Sequence, residues 1–192
     1  RITFISDTGI EYANSLVTAL TQTQIIQLGQ LRCDIFNFDL NTPPWGAIET
    51  WENLVTDMPE KKIFTIDFIT PTAINKSGGD KNRYSWLLPD PTTVFSGLAK
   101  KWKDFGGPSL PENLRSFLES GGCRISYHRI ETIAEDIKTH KQIGFIGRVS
   151  YECSHQDEDC ANAIISLARF AFFGGVGYHT AQGMGAVLSR IG

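Results

Sequence analysis

The chain has 192 residues, 41% of them hydrophobic and 20% charged, and its 18 basic and 21 acidic side chains leave a net charge of −3. This composition is typical of a folded globular protein and excludes collagen, a coiled coil and a fully disordered chain. A chain of this length buries about 70% of the surface that it exposes when unfolded, so its four cysteines are optional for the fold, and no apolar run approaches the roughly 18 residues of a membrane span.

The first part of the chain predicts a strand, a helix and a second strand. The β-rich residues 2–5 predict a strand, and apolar side chains at three- and four-residue spacing over 9–22 predict a helix. Residues 25–39 are again β-rich and end before two consecutive prolines, which terminate strands. This order is the second half of a ferredoxin-like domain over 1–45, so we expect further residues upstream. Residues 46–60 are predicted to be a linker.

From residue 61 onward the predicted order is strand, helix, strand, strand, helix, strand, which is the complete ferredoxin-like plan. The predicted strands are 62–69, 123–133, 143–153 and 179–191; the helices start at Pro91, cover 111–120 and follow Asp157; the loops are 75–85 and 134–142. We therefore predict an α+β protein with tandem ferredoxin-like (RRM-like) domains, the first incomplete and the second covering 61–192.

Charge is distributed unevenly along the chain. Residues 61–148 hold 14 basic and 9 acidic side chains, whereas residues 1–60 hold 2 basic and 8 acidic ones. A positive central block between acidic ends is typical of a protein that binds a polyanion such as RNA or DNA. Solvated faces of a strand and a helix explain the same basic residues, so charge alone leaves both interpretations open.

The most informative segment is 174–185, which contains five glycines in twelve residues. Backbone amides without covering side chains can form a concave nest that holds phosphate oxygens. The segment lacks the Gly-Lys-Ser/Thr ending of a Walker loop, and it follows a helix and precedes a strand, the reverse of a dinucleotide-binding fingerprint. We predict an anion-binding loop here, and a helix cap followed by a tight turn is the alternative interpretation.

Few residues suggest catalysis. His128, His140, His155 and His179 are the candidates for proton transfer near neutral pH, and His179 lies within the glycine-rich segment. The sequence contains no Ser-His-Asp arrangement, two-metal carboxylate cluster or common zinc-ligand spacing, so no metal or cofactor is predicted. If RNA is cut, metal-free attack by the 2′-hydroxyl is the favoured route. Scattered cysteines and the lack of a secretory leader predict a soluble, cytoplasmic protein.

Four segments occur in the order that is found in one known family. They are 68–73 (Phe-Ile-Thr-Pro-Thr-Ala), 88–95 (beginning Leu-Pro-Asp-Pro), 144–147 (Gly-Phe-Ile-Gly) and 167–185. Together they resemble the CRISPR-associated endoribonucleases of the RAMP superfamily, which process precursor crRNA. The resemblance implies tandem ferredoxin-like domains that bind the stem-loop RNA of a CRISPR repeat, cut below the stem without metal, and often stay on the product as an effector-complex subunit.

The resemblance also implies which residues bind RNA. Gly174, Gly175, Gly177, Thr180, Gly183 and Gly185 match the family's glycine-rich loop, with Tyr178 and His179 inside it. His179 stands where the family usually has arginine or lysine, which lowers the positive charge beside the RNA. Lys76 and Arg83 fall where relatives place basic contacts to RNA. The family's general-base histidine usually lies in the portion that would precede Arg1, so no catalytic residue is assigned.

Three hypotheses about function follow. The first is an endoribonuclease that binds and processes precursor crRNA, with other effector subunits as partners and no membrane attachment. The second is a non-catalytic crRNA-binding subunit of the same effector complex. The third is an unrelated ferredoxin-like enzyme whose glycine-rich loop holds a phosphorylated metabolite. Cleavage of repeat RNA separates the first two hypotheses, and binding of nucleotides or sugar phosphates would indicate the third.

Overall fold

The computed structural model describes residues 3–6, 8–23, 25–28, 30–35, 41–77, 83–137 and 140–192. The chain divides into two compact units, Arg1–Glu49 and Thr50–Gly192. Within the described ranges, every helix is too short or too polar to span a bilayer.

The first unit contains one helix and one hairpin. Helix α1 covers Gly9–Gln22, which confirms the helix predicted from the apolar spacing. Strands β1 (Ile25–Leu28) and β2 (Leu31–Asp34) pair in antiparallel register. The prediction of one continuous strand over 25–39 is therefore wrong, because the chain reverses direction between β1 and β2; residues 36–40 lie outside the described part.

The beginning of the chain also differs from its prediction. β-branched and aromatic residues at 2–5 predict a strand, but the described residues 3–5 lie outside any strand. Extended residues form a strand only where a neighbouring strand exchanges backbone hydrogen bonds with them. The assignment of 1–45 to a first domain, of 46–60 to a linker and of 61–192 to a second domain stays a prediction.

The second unit contains four helices and six strands among its described residues. In chain order they are α2 (Trp51–Val55), β3 (Ile63–Thr72), β4 (Ile74–Ser77), β5 (Arg83–Trp86), α3 (Pro91–Asp104), α4 (Leu114–Glu119), β6 (Cys123–Ile137), β7 (His140–Cys153), α5 (Glu158–Gly174) and β8 (Val187–Ile191). Four strands form an antiparallel sheet in the order β6-β7-β3-β8. The last strand lies beside the first, with α3 and α5 as connecting helices, which is the ferredoxin-like arrangement and confirms the α+β class.

The helices cover one face of this sheet, and the alternation of β3 determines which face. Phe64, Ile66 and Phe68 are buried, whereas Ile63 and Ile69 are exposed, because successive side chains of a strand point to opposite faces. Burying a large apolar side chain stabilises the fold by roughly 1.5–3 kcal/mol. A shift of β3 by one residue would expose all three buried side chains, so their burial fixes its register.

Two segments predicted as loops are mostly hairpin strands. Residues 134–142 belong largely to β6 and β7, and residues 75–85 include most of β4 and β5. The connections at 78–82 and 138–139 lie outside the described residues. The loop predictions are wrong because most residues of these segments are polar, and apolar alternation is the signal by which a strand is recognised in a sequence.

A short helix lies within the predicted linker 46–60. Trp51 of α2 packs against Trp102 of α3 and Phe170 of α5, with ring centroids 4.8 Å and 5.7 Å away. Arg169 of α5 donates hydrogen bonds to four backbone carbonyls at and after the end of α2. These contacts attach α2 to the helical layer of the second unit.

Aspartate side chains cap the two long helices of the second unit. Asp90 accepts a hydrogen bond from Thr93 N at 2.9 Å with one oxygen and from Trp86 Nε1 at 2.7 Å with the other. Asp157 accepts from Cys160 N at 2.9 Å, a bond that lowers the pKa of this carboxyl. Acidic residues at these positions therefore satisfy the first amides of each helix.

Candidate nucleic-acid interface

The glycine-rich segment, residues 174–185, lies between α5 and β8. It contains a 3-10 turn at Thr180–Gln182. Positive φ angles occur at Gly175, Gly177, His179, Gly183 and Gly185. This left-handed backbone suits glycine and costs other residues roughly 1–2 kcal/mol, so the glycines determine the path of the segment.

The end of β3 holds this segment in place. Gly185 N donates to Pro71 O at 3.0 Å, and Tyr178 N donates to Ala73 O at 3.1 Å. The amide that follows Gly185 donates to Thr70 Oγ1 at 2.8 Å. We call residues 70–73 the β3 clasp. Because these bonds come from both halves of the glycine-rich segment, the clasp fixes the segment as a rigid turn.

Close packing explains some of the glycines, although not all of them. A Cβ atom at Gly177 would collide with the carbonyl oxygen of Ala73, and one at Gly185 would collide with that of Val176. A Cβ atom at Gly183 would meet no atom within 4 Å. Gly177 and Gly185 are therefore required by the fold, whereas the space beside Gly183 is open.

Most backbone amides of the segment are already used within the protein. Those of Gly175, Val176, Tyr178, Gln182, Gly183, Met184 and Gly185 donate to backbone carbonyls. For the amides of Gly177, His179, Thr180 and Ala181, the described part of the chain supplies no such acceptor. The interpretation as a helix cap and tight turn thus accounts for most of the segment. Anion binding stays a prediction, and its candidate amide donors are reduced to that of Gly177 and a short run at 179–181.

Tyr178 joins the glycine-rich segment to two hairpins. Its hydroxyl lies 2.9 Å from Ser85 Oγ on β5 and is also hydrogen-bonded to Gln142 Nε2 on β7. The β4–β5 hairpin carries Lys76 on one strand and Arg83 on the other. The structure describes the backbone of these two residues and not their side chains. The predicted basic positions therefore belong to a hairpin that is bonded to the predicted loop.

The four histidines lie at separate places in the fold. His179 is exposed in the glycine-rich segment, and its ring centroid is 4.5 Å from that of Tyr178. His128 is exposed on β6, and His155 is exposed in the turn before α5. His140 begins β7, and its side chain lies outside the described part. Of the three histidines whose side chains are described, His179 is the one that lies beside the predicted phosphate donors.

The side chain of Lys101 on α3 binds the glycine-rich segment. Its Nζ donates to Gly174 O at 3.1 Å, to Gly175 O at 3.0 Å and to Thr180 Oγ1 at 3.5 Å. The carbonyls belong to the C-terminal end of α5, where a positive charge is favourable. Burial lowers the pKa of Lys101 to about 8. Its position three residues after buried Leu98 was the available sequence signal, because residues at this spacing share a helix face.

Three of the four segments that carry the sequence resemblance meet at the β3 clasp. Gly144, in the segment 144–147, leaves room for the clasp, since a Cβ atom there would lie 2.8 Å from Thr72 N. The glycine-rich segment bonds to the same residues from the other side. The fourth segment begins α3, the helix that carries Lys101. The shared sequence features are therefore the parts that build and support one turn.

The comparisons with known proteins agree on one family. The model of the family "CRISPR-associated endoribonuclease Cas6" matches residues 66–187. Two curated proteins with that same name, from the CDC 1551 and H37Rv strains of Mycobacterium tuberculosis, are each 31% identical to this chain over 131 residues. That match covers 67% of this chain and 39% of the relative. The chain thus matches about two fifths of the length of these relatives.

Solved structures support the same fold. A Cas6 product complex superposes with a TM-score of 0.78 at 25% identity, covering 93% of this chain and 72% of the other. A RAMP protein that binds different RNA substrates superposes with a TM-score of 0.56 at 14% identity, covering 93% and 64%. These likenesses confirm the predicted class of tandem ferredoxin-like folds.

Substitutions of two glycines test the packing of the segment. We expect Gly185→Ala to destabilise the protein by about 3 kcal/mol or more, because the new Cβ would collide with backbone. Gly183→Ala meets open space and is expected to cost only about 1–2 kcal/mol for its left-handed backbone. Urea unfolding followed by circular dichroism measures both values. Equal destabilisation by the two variants would contradict this account.

The pH dependence of stability tests the environment of Lys101. Its pKa falls from 10.5 to about 8 on folding, so between these values the native state binds fewer protons than the unfolded state. The contribution of this lysine to the free energy of unfolding therefore rises from about pH 8 to pH 10.5 and is lost as the pH falls through 8. Lys101→Met should remove this rise, whereas Lys103→Met, at an exposed position of α3, should retain it. Urea denaturation at several pH values gives the comparison, and parallel profiles for the native protein and Lys101→Met would refute it.

Proposed function

This chain belongs to the CRISPR-associated endoribonuclease Cas6 family, and from that membership we propose that it binds the stem-loop RNA of a CRISPR repeat and takes part in processing precursor crRNA. The related Cas6 structure described above is a product complex. We further propose that the protein acts in the cytoplasm and remains on the crRNA as a subunit of an effector complex.

The observation that carries the proposal is the rigid turn at the β3 clasp. It presents the amides of His179, Thr180 and Ala181 at a fixed place, and Tyr178 joins it to the hairpin that bears Lys76 and Arg83. Fixed amides and basic side chains are the groups that hold an RNA backbone without reading its sequence. The segment therefore suits a role in holding phosphates.

We propose a cleavage reaction that needs no metal, as the resemblance to the family implies. The 2′-hydroxyl oxygen attacks the adjacent phosphorus, and the bond from phosphorus to the 5′-oxygen breaks. The products are a 2′,3′-cyclic phosphate and a 5′-hydroxyl. A base must accept the proton of the 2′-hydroxyl, and an acid must donate one to the leaving oxygen. The residues of the glycine-rich segment are assigned to phosphate binding, and the acid and base stay unassigned.

The direct test is cleavage of repeat RNA by the full-length protein. In the presence of EDTA, we expect a repeat hairpin to be cut to a 2′,3′-cyclic phosphate, as identified by mass spectrometry. The same hairpin with a single 2′-deoxynucleotide at the cut site should bind and remain intact, because its nucleophile is missing. Binding of both RNAs without cleavage would favour the alternative, a non-catalytic crRNA-binding subunit. Failure to bind either RNA would overturn the proposal.

A single substitution tests the phosphate contact of the segment. We expect His179→Arg to tighten binding of the repeat hairpin by roughly threefold to tenfold, because it adds a permanent charge and planar donors beside the amides of residues 179–181. The matched control is His155→Arg, which adds the same charge at an exposed turn before α5. Fluorescence anisotropy with labelled hairpin measures both affinities. Equal gains for the two variants would show a general charge effect and would contradict a contact at residue 179.

A further inference from the structure

Two cysteines lie directly opposite each other at one end of the β6–β7 hairpin. Cys123 is the first residue of β6 and Cys153 is the last residue of β7, and the register of the two strands makes them cross-strand partners. Both are free thiols, and both are buried, with exposed fractions of 3% and 2%. The pair belongs to neither the glycine-rich segment nor the β3 clasp.

The backbone hydrogen bonds place this pair at a narrow position of the ladder. Ser154 N donates across the strands to Gly122 O at 2.7 Å, whereas Cys153 N donates away from β6, to Lys62 O, at 2.8 Å. Because hydrogen-bonded and non-hydrogen-bonded pairs alternate, Cys123 and Cys153 form a non-hydrogen-bonded pair, whose Cα atoms are typically about 4.5 Å apart. This separation lies within the range of about 4.4–6.8 Å that a disulfide spans.

The two thiols also contact each other. A hydrogen bond with the Cys153 thiol, together with burial, raises the pKa of Cys123. The other two cysteines are placed differently. The thiol of Cys160 on α5 donates to Asn113 Oδ1 at 3.4 Å, and Cys33 lies on β2 of the first unit. Of the four cysteines, Cys123 and Cys153 are therefore the two whose sulfur atoms are arranged to meet.

The position of the pair at the strand ends gives a small reagent a way to reach it. The ends of strands open at a lower free energy than the middle of a sheet. Opening here breaks the bonds that Ser154 N and Cys153 N donate, and the chain before β6 turns at the exposed Gly121. Since the thiolate is the nucleophile and burial disfavours it, we expect the thiols to react from this opened end.

We propose that Cys123 and Cys153 form a redox modification site, at which a low-molecular-weight disulfide oxidises the pair to an intramolecular disulfide. One thiolate attacks a sulfur of the small disulfide, whose S–S bond breaks and releases one small thiol. The other thiolate attacks the resulting mixed disulfide and releases the second small thiol. Two protein thiols are thus oxidised, and the small disulfide receives their two electrons and two protons.

The new bond joins β6 to β7 at the open end of their hairpin. The chain itself connects the two strands at their other ends, so the disulfide closes a loop that contains both of them. Closing such a loop restricts the unfolded chain and thereby stabilises the folded one. The oxidised protein should therefore unfold at a higher temperature than the reduced protein. This inference does not depend on the proposed function.

The test is thiol mapping of the full-length protein after incubation with oxidised glutathione under native conditions. The remaining free thiols are blocked with N-ethylmaleimide in denaturant, and the unreduced digest is analysed by mass spectrometry. We expect most molecules to carry a peptide pair linked through Cys123 and Cys153, which dithiothreitol separates. The variants Cys123→Ala and Cys153→Ala should lack this link. The matched control Cys160→Ala, at another buried cysteine, should retain it.

Thermal unfolding gives a second readout. We expect oxidation to raise the Tm of the native protein by at least about 5 °C and to leave the Tm of Cys123→Ala unchanged, with circular dichroism to check that each variant is folded. Free thiols at both positions after prolonged oxidation, glutathione retained on either cysteine, or a link to Cys160 would overturn the proposal. Equal Tm shifts in the native protein and Cys123→Ala would do the same. Mapping of the native protein decides the question where an alanine variant does not fold.

Discussion

The hydrogen bonds between the β3 clasp and the glycine-rich segment organise the second unit. Gly185 bonds to Pro71 and Tyr178 bonds to Ala73, so the turn after α5 is tied to the end of the central strand. The close approach leaves no room for a Cβ atom at Gly177. The segment is therefore rigid because of its packing, and the amides for which the described residues supply no backbone acceptor are held in position by bonds that their neighbours make. A site for phosphate on this turn would be preorganised at no cost in loop ordering.

Much of the fold of the second unit was predictable from the sequence. The spacing of Val94, Leu98 and Trp102 and the sequence Asp90-Pro91 predict helix α3, and all five residues have those roles. The hairpins were missed because most of the residues in those segments are polar, so the apolar alternation that identifies a strand is absent. The order of the remaining elements then follows from the few ways in which a β-α-β unit can be connected.

The site was harder to predict than the fold, because its chemistry depends on which backbone groups are already bonded. A run of glycines indicates that amides are uncovered, but Gly183 and Gly185 show that such an amide can still donate to a carbonyl of the protein. The role of Lys101 depends on a partner in α5 that lies far away in the chain. Similarly, Arg129 lies opposite Arg148 because of the register between β6 and β7. Sequence periodicity does not determine the register of a long hairpin.

The pairing of β8 with β3 has a consequence for synthesis of the protein. Phe68 pairs with Val187, and β8 is the last described element to leave the ribosome. Until β8 pairs with it, β3 has one open edge, and an open strand edge can pair with another chain. Arg190 of β8 pairs with Asp67 only after β8 has joined the sheet. The pairing of β8 with β3 thus completes the four-stranded sheet late in synthesis, so a ribosome stalled shortly before β8 would carry a chain whose glycine-rich turn is not yet fixed at both ends.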